Sequence, residues 1–385
     1  ALIEECNAFI QMGDANYLYS SFEERLKELE LSEETKRSYI EKNQACIKDY
    51  VFPAYKELIS SLTELRETGQ NKNGLCYLPD GSKYYELLVA EQTGSSRSIP
   101  QLQALTLSQM AEDSAALREM LSSSADVTDP SDSLRSAADM PETLNPADIL
   151  EDLKSDLSGL FPDPPEVNAS IKYVQQEMAD YLSPAFYMIP AIDDTADNVI
   201  YINESRMPDA LTLFTTLAHE GYPGHLYQTI YYSSTDPDPL RNLLNFGGYT
   251  EGWATYSEML SYYFSPLSKE QAAMMQRNSS IILGLYALAD MGIHYDGWTL
   301  FDTITFFRGY GITDTDTIEE IYSLIIGDPG NYLKYYIGYV EFLELKKEAI
   351  AAWGKDFSQE RFHKAVLEAG PASFDILRRY VLEEG

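Results

Sequence analysis

The chain has 385 residues, with 28 Lys and Arg against 61 Asp and Glu, and a formal charge of −33. Such a chain lacks the basic patches that neutralise phosphates or hold an anionic membrane surface, which excludes nucleic acid and membrane contact as expected partners. Disorder is excluded as the reason for the charge, because 44% apolar residues and 29 tyrosines supply ample material for a core.

The length suits about two domains or one large one, and no stretch approaches the roughly 20 apolar residues of a membrane helix. Cys6, Cys46 and Cys76 are too far apart for a metal knuckle and read as free thiols, with a Cys6–Cys46 bridge open if the protein is exported. The chain begins at Ala1 without a signal-like segment, so an extracytoplasmic location through upstream residues is expected, with the cytoplasm as the alternative. Residues 16 to 68 read as amphipathic helices, Leu26, Leu29 and Leu31 and then Tyr39, Ile40, Ile47 and Tyr50 recurring at helical spacing. Leu78-Pro79-Asp80-Gly81 is a turn before a helix carrying Tyr84, Tyr85, Leu87 and Leu88, and a further helix is predicted over Ile99 to Leu121. Ser122 to Pro146 has the composition of a surface connection or a loosely packed insert. Pro162-Asp163-Pro164-Pro165 then breaks the chain. The predicted division is a helical region over 1–165 and a catalytic region over 166–385, the two able to form one continuous domain.

Ala169 to Val174, Ala185 to Ile189 and Val199 to Ile202 are rich in strand formers and predict a small sheet. From Pro208 to Val381 helical periodicity returns, with Thr317-Ile318-Glu319-Glu320 at capping-box spacing opening one helix.

Only four histidines occur, and two of them fall in His219-Glu220-Gly221-Tyr222-Pro223-Gly224-His225. Leu211, Phe214, Leu217 and Ala218 form an apolar face leading into it, so His219 and Glu220 belong near the end of a buried helix. In the usual His-Glu-x-x-His zinc site the second histidine follows at i+4 and shares the metal, while the glutamate acts as general base. Here it follows at i+6, about 240° away on a straight helix. Pro223 and Gly224 allow a bulge that returns His225 toward His219. A third ligand is expected from another helix. Glu251 and Glu258 lie two turns apart on one face, Glu251 as ligand and Glu258 as the carboxylate that orients a ligand histidine. The bland alternative for His219 and His225 is a hydrogen-bonded pair at a helix end.

His-Glu-x-x-Pro-Gly-His followed by Glu251-Gly252-Trp253-Ala254 resembles the bacterial domain-of-unknown-function 885 family, itself similar to gluzincin metallopeptidases. Asp290-Met291-Gly292-Ile293-His294 with Trp298, and Pro329-Gly330 followed by Tyr335 and Gly338, are similar to further family segments in the same order. The resemblance covers roughly residues 75 to 385. Two departures are Leu226, where the family commonly has a second histidine, and the absence of its usual Arg near Tyr286; both bear on substrate contact.

The resemblance implies a mainly α, zincin-like fold with a small β-sheet beside the active-site helix. It also implies one zinc ion held by His219, His225 and Glu251, with Glu220 taking a proton from the attacking water. Tyr335 or His294 would hold the developing oxyanion, or His294 would replace His225 as ligand. His363 is expected at the surface. The expected function is a zinc-dependent metallopeptidase acting on short peptides. The alternative is a non-catalytic peptide- or glycan-binding protein with a vestigial metal site.

Overall fold

Long runs of helix-forming residues with apolar positions at helical spacing make the α-helix the dominant element of the chain. The computed structural model describes residues 2–27, 29–66, 68–69, 71–123, 145–180, 182–207 and 209–383. Most of the Ser- and Asp-rich segment predicted as a loose insert lies outside the described residues. The chain divides into two compact units, residues 1–72 with 175–177, and residues 73–174 with 178–385. The boundary thus falls near residue 72 rather than 165, because the helices between these points pack onto the sheet and helices that follow.

The first unit contains helices α1 (Leu2–Gln11), α2 (Tyr17–Lys27), α3 (Glu33–Cys46) and α4 (Phe52–Leu65). Ser32 caps α3 by accepting from the Thr35 N–H. A π-helical turn over Ile47–Val51 joins α3 to α4 just before Pro53, whose missing N–H falls in the first turn of α4. Phe9 anchors the interior, stacked on Tyr55 at 4.2 Å and edge-on to Phe52 at 6.2 Å. All three cysteines are free thiols, and no Cys6–Cys46 bridge forms: Cys6 is buried in this core while Cys46 is exposed.

The second unit holds α5 (Gly81–Thr93), α6 (Ile99–Ser123) and α7 (Pro146–Ser155), then strands β1 (Asn168–Tyr173), β2 (Ala185–Met188) and β3 (Asp197–Ile202). The strand order is β1-β3-β2, with β1 parallel and β2 antiparallel to β3. The predicted small sheet is therefore present, with β1 and β2 as its two edges. Helices α8 (Ala210–Glu220), α9 (His225–Ser234), α10 (Gly247–Ser261) and α11 (Lys269–Met291) follow, then α12 (Leu300–Gly309), α13 (Thr315–Gly327), α14 (Asn331–Trp353), α15 (Gln359–Ala369) and α16 (Phe374–Glu383). Helix α13 starts earlier than the capping box at Thr317 predicts, because the Asp314 side chain accepts from the Asp316 and Thr317 N–H groups.

Helices α10 and α14 pack closely along their length. A Cβ placed on Gly252 would lie 2.5 Å from the Cα and carbonyl carbon of Gly338, and one on Gly338 would overlap the Gly248 carbonyl oxygen. The two helices thus touch backbone to backbone, with Trp253 and Phe342 closing an aromatic cluster beside the crossing at 5.8 Å.

Two buried ionisable groups in this unit titrate in opposite senses. Burial, helped by the Lys346 charge, pushes His363 down to about 3, and the ring is fully buried between Leu160 and Tyr256 rather than at the surface. Burial raises Asp290 to about 7 although it accepts from Tyr85 and from the Gly330 N–H. As pH falls below 6.5 the unfolded chain protonates a histidine that the native chain keeps neutral, so the His363 contribution is lost toward pH 3. The Asp290 contribution runs the other way, full below about 3.8 and lost as pH rises toward 7. Between about 3.8 and 6.5 the two offset each other. Asp290→Asn removes one side of the balance, so its stability is expected to fall more steeply on acidification than that of the wild type. The extra slope should be somewhat over 1 kcal/mol per pH unit, read from urea midpoints at a series of pH values. Parallel curves for the two proteins would contradict it.

Candidate metal and active site

Asp209 caps the start of α8 by accepting from the Thr212 N–H at 2.7 Å, and Leu211, Phe214, Leu217 and Ala218 bury its inner face. That burial turns Thr216, His219 and Glu220 into a cleft of about 470 Å³. The helix then stops rather than bulging. Gly224 donates its N–H back to Ala218 at 2.9 Å, the Tyr222–Pro223 peptide is cis, and α9 begins at His225. Only glycine fits at 224, since a Cβ there would overlap the His219 carbonyl oxygen. The Pro223 carbonyl accepts from Trp253 Nε1 at 2.8 Å and from the Ser257 hydroxyl at 3.2 Å. The turn between the two histidines is thereby fastened to α10, the helix that carries Glu251 and Glu258.

The result is a tight cluster. The rings of His219 and His225 are 4.9 Å apart at 80°. Glu251 Oε2 lies 3.2 Å from His225 Nε2 and 3.7 Å from His219 Nε2. His219 Nδ1 meets Glu258 Oε2 at 3.0 Å, which places a ring proton on that side and turns Nε2 toward Glu251. Glu220 also reaches the cluster, its ligand atom within 4.8 Å of those of both histidines. Its Oε2, however, accepts the Tyr187 N–H of β2 at 2.8 Å. That bond assigns Glu220 to the strand side of the cleft, and the shorter contacts make Glu251 the better third ligand.

Electrostatics follow from this crowding. Burial disfavours charge on His219, but Glu251 and Glu258 outweigh it and raise its pKa well above the ordinary value. Burial likewise opposes ionisation of Glu251, yet the two histidines pull it far below the usual carboxylate range. Tyr335 stacks against His219 at 6.3 Å, and its hydroxyl is pushed up by burial and then by Glu251 and Glu220, so it stays a proton donor.

The donor set suits a divalent ion. Tetrahedral nitrogen and oxygen ligands at about 2.0–2.1 Å from zinc stand about 3.3 Å apart, close to the separations of Glu251 from the two imidazoles. Of the sequence-predicted residues, His219, Glu220, His225, Glu251, Glu258 and Tyr335 come together around the cleft. His294 does not. It is buried in the core, its Nδ1 accepting from the Leu75 N–H at 3.1 Å and its Nε2 donating to the Ile325 carbonyl at 2.9 Å. Both nitrogens are committed to main chain, so His294 joins three segments of the core and is neither a ligand nor an oxyanion donor.

Sequence reasoning missed the strand side of the site. Ser183 to Tyr187, with Thr216 and Thr229, line the cleft, and the Tyr187 N–H holds the candidate base. The strand itself was predictable, but not which helix its edge would meet.

A family model described as "Bacterial protein of unknown function (DUF885)" matches residues 1–381. The chain belongs to the DUF885 family. No curated protein matches it. Among solved structures, a "putative lipoprotein" from Colwellia psychrerythraea is similar at 23% identity with a TM-score of 0.85, covering 98% of this chain and 68% of that one. A second, from Shewanella oneidensis and described as of unknown function, is similar at 17% identity with a TM-score of 0.65, covering 100% of this chain and 73% of the other. At these identities the likeness establishes a shared fold. Among the described residues of this DUF885 chain, no helix is long and apolar enough to cross a membrane.

Proposed function

We propose that this DUF885 protein is a zinc-dependent metallopeptidase of zincin-like construction that hydrolyses short peptides. The observation that carries the proposal is the convergence of His219, His225 and Glu251 beside a separately anchored Glu220 in one cleft. Zinc held by the first three would supply Lewis acidity toward a carbonyl and lower the pKa of water to about 7.

The residues of the chain divide the remaining work. Glu220, oriented by the Tyr187 N–H, takes the proton of the attacking water and delivers it to the leaving amine. Glu258 fixes the tautomer of His219. The protonated Tyr335 hydroxyl donates to the carbonyl oxygen as charge develops there. Ser183 to Tyr187 form one wall for an extended substrate.

Metal analysis combined with digestion of a peptide library tests the proposal. Stoichiometric zinc and chelator-sensitive cleavage are expected, whereas peptide binding without turnover would overturn it in favour of a binding protein. Glu258→Ala should weaken metal binding about 10- to 100-fold without removing a ligand, measured by competition with a chromogenic chelator. Unchanged affinity would remove Glu258 from the site.

A further inference from the structure

Helix α10 presents a second cavity on another of its faces. Met259, Leu260 and Leu343 with the rings of Tyr263 and Tyr339 line an open cavity of about 290 Å³, at the small end of ligand sites. Arg277 and Lys346 also line it, and no carboxylate does, in a chain whose acids outnumber its bases about two to one.

Neither cation is fully satisfied. Lys346 forms no ion pair among the described residues; its Nζ donates to the Tyr256 hydroxyl at 2.8 Å and sits 5.2 Å from that ring's centre. The direction of the chain beyond it is fixed. The Leu160 carbonyl can only accept, so His363 carries its proton on Nδ1, and its Nε2 accepts from the Tyr256 hydroxyl at 2.8 Å. Tyr256 therefore receives one ammonium proton and offers Lys346 no negative charge. Burial without a counter-ion lowers Lys346 to about 8. Arg277 pairs with Asp113 through one terminal nitrogen, but its Nε is buried with no partner. Asp113 is fully buried, also accepts from Gln109 and Ser280, and forms no ion pair with Lys346.

We infer that this cavity binds a small monocarboxylate with an aromatic or aliphatic body, its carboxylate meeting the Lys346 ammonium beside the Arg277 guanidinium. The apolar and aromatic walls suit the body of such a ligand, whereas the outer oxygens of a phosphate would face leucine and methionine. The inference is independent of the metal site.

Calorimetric titration of the full chain with 3-phenylpropionate, 3-phenylpropanol and inorganic phosphate tests it. His225→Ala serves as a second host in which the proposed metal site cannot hold the carboxylate. The acid is expected to bind both proteins alike, at least tenfold tighter than the alcohol or phosphate. Lys346→Met should weaken it at least tenfold while the melting temperature holds or rises, and Lys346→Arg should retain most of the affinity. The inference fails if the acid does not bind, if the alcohol or phosphate binds as tightly, or if affinity is lost in His225→Ala and kept in Lys346→Met.

Discussion

Glu220→Gln is expected to retain bound zinc while peptide hydrolysis falls about 10²- to 10⁴-fold, the usual contribution of a positioned general base. The substitution is nearly isosteric, and the amide oxygen can still accept the Tyr187 N–H. What the amide cannot do is take a proton near neutral pH. His219, His225 and Glu251 are untouched, so metal content by emission spectrometry should equal that of the wild type. The variant also decides between Glu220 and Glu251 as the third ligand, because both lie within ligand reach. Loss of zinc in Glu220→Gln with retention in Glu251→Gln would make Glu220 the ligand and overturn the assignment of roles. Unchanged turnover with zinc still bound would remove Glu220 from catalysis altogether.

The second large effect concerns shape. Gly252→Ala should destabilise the protein by about 3 kcal/mol, at the upper end for overpacking a core. The new methyl group would sit 2.5 Å from the backbone of Gly338, where no side chain can swing aside. Helices α10 and α14 must then separate, and they carry Glu251 and Tyr335 respectively. Gly309→Ala is the control: a Cβ there meets nothing within 4 Å, so it should be neutral or stabilising by up to about 1 kcal/mol. Urea unfolding of the three proteins reads the difference directly, and a Gly252→Ala midpoint equal to that of the wild type would refute the close crossing.

What could be read from the chain depended on whether partners were near in sequence or shared a helix face. His219, Glu220 and His225 announce themselves by scarcity and spacing, and Glu251 and Glu258 by lying two turns apart on one helix. The helix periodicities and the three strands were legible for the same reason. His294 was not, because its partners Leu75 and Ile325 are 219 and 31 residues away. Nothing in Asp-x-Gly-Ile-His distinguishes a ring turned to a cleft from one turned to a core. His363 sits among Glu, Arg and Lys and reads as exposed, yet Tyr256 and Leu160 cover it. The unit boundary was obscured because Pro162 to Pro165 make the strongest local break, while the contacts that join α5 to α7 with the rest are long-range. The Tyr187 N–H was invisible in principle, since a main-chain donor has no residue signature.

The glycine crossing also determines how the protein should respond to chelation. Zinc fingers unfold without their metal because nothing else holds their ligands in place. Here the helix that carries the proposed ligand Glu251 is locked to α14 through main-chain contact and to the inter-histidine turn through Trp253 and Ser257. Stripped of metal, the protein should keep its cooperative unfolding, and re-addition of zinc should follow simple second-order kinetics with no slow refolding phase. The ion would arrive at a finished socket, so uptake would report on metal supply rather than on folding.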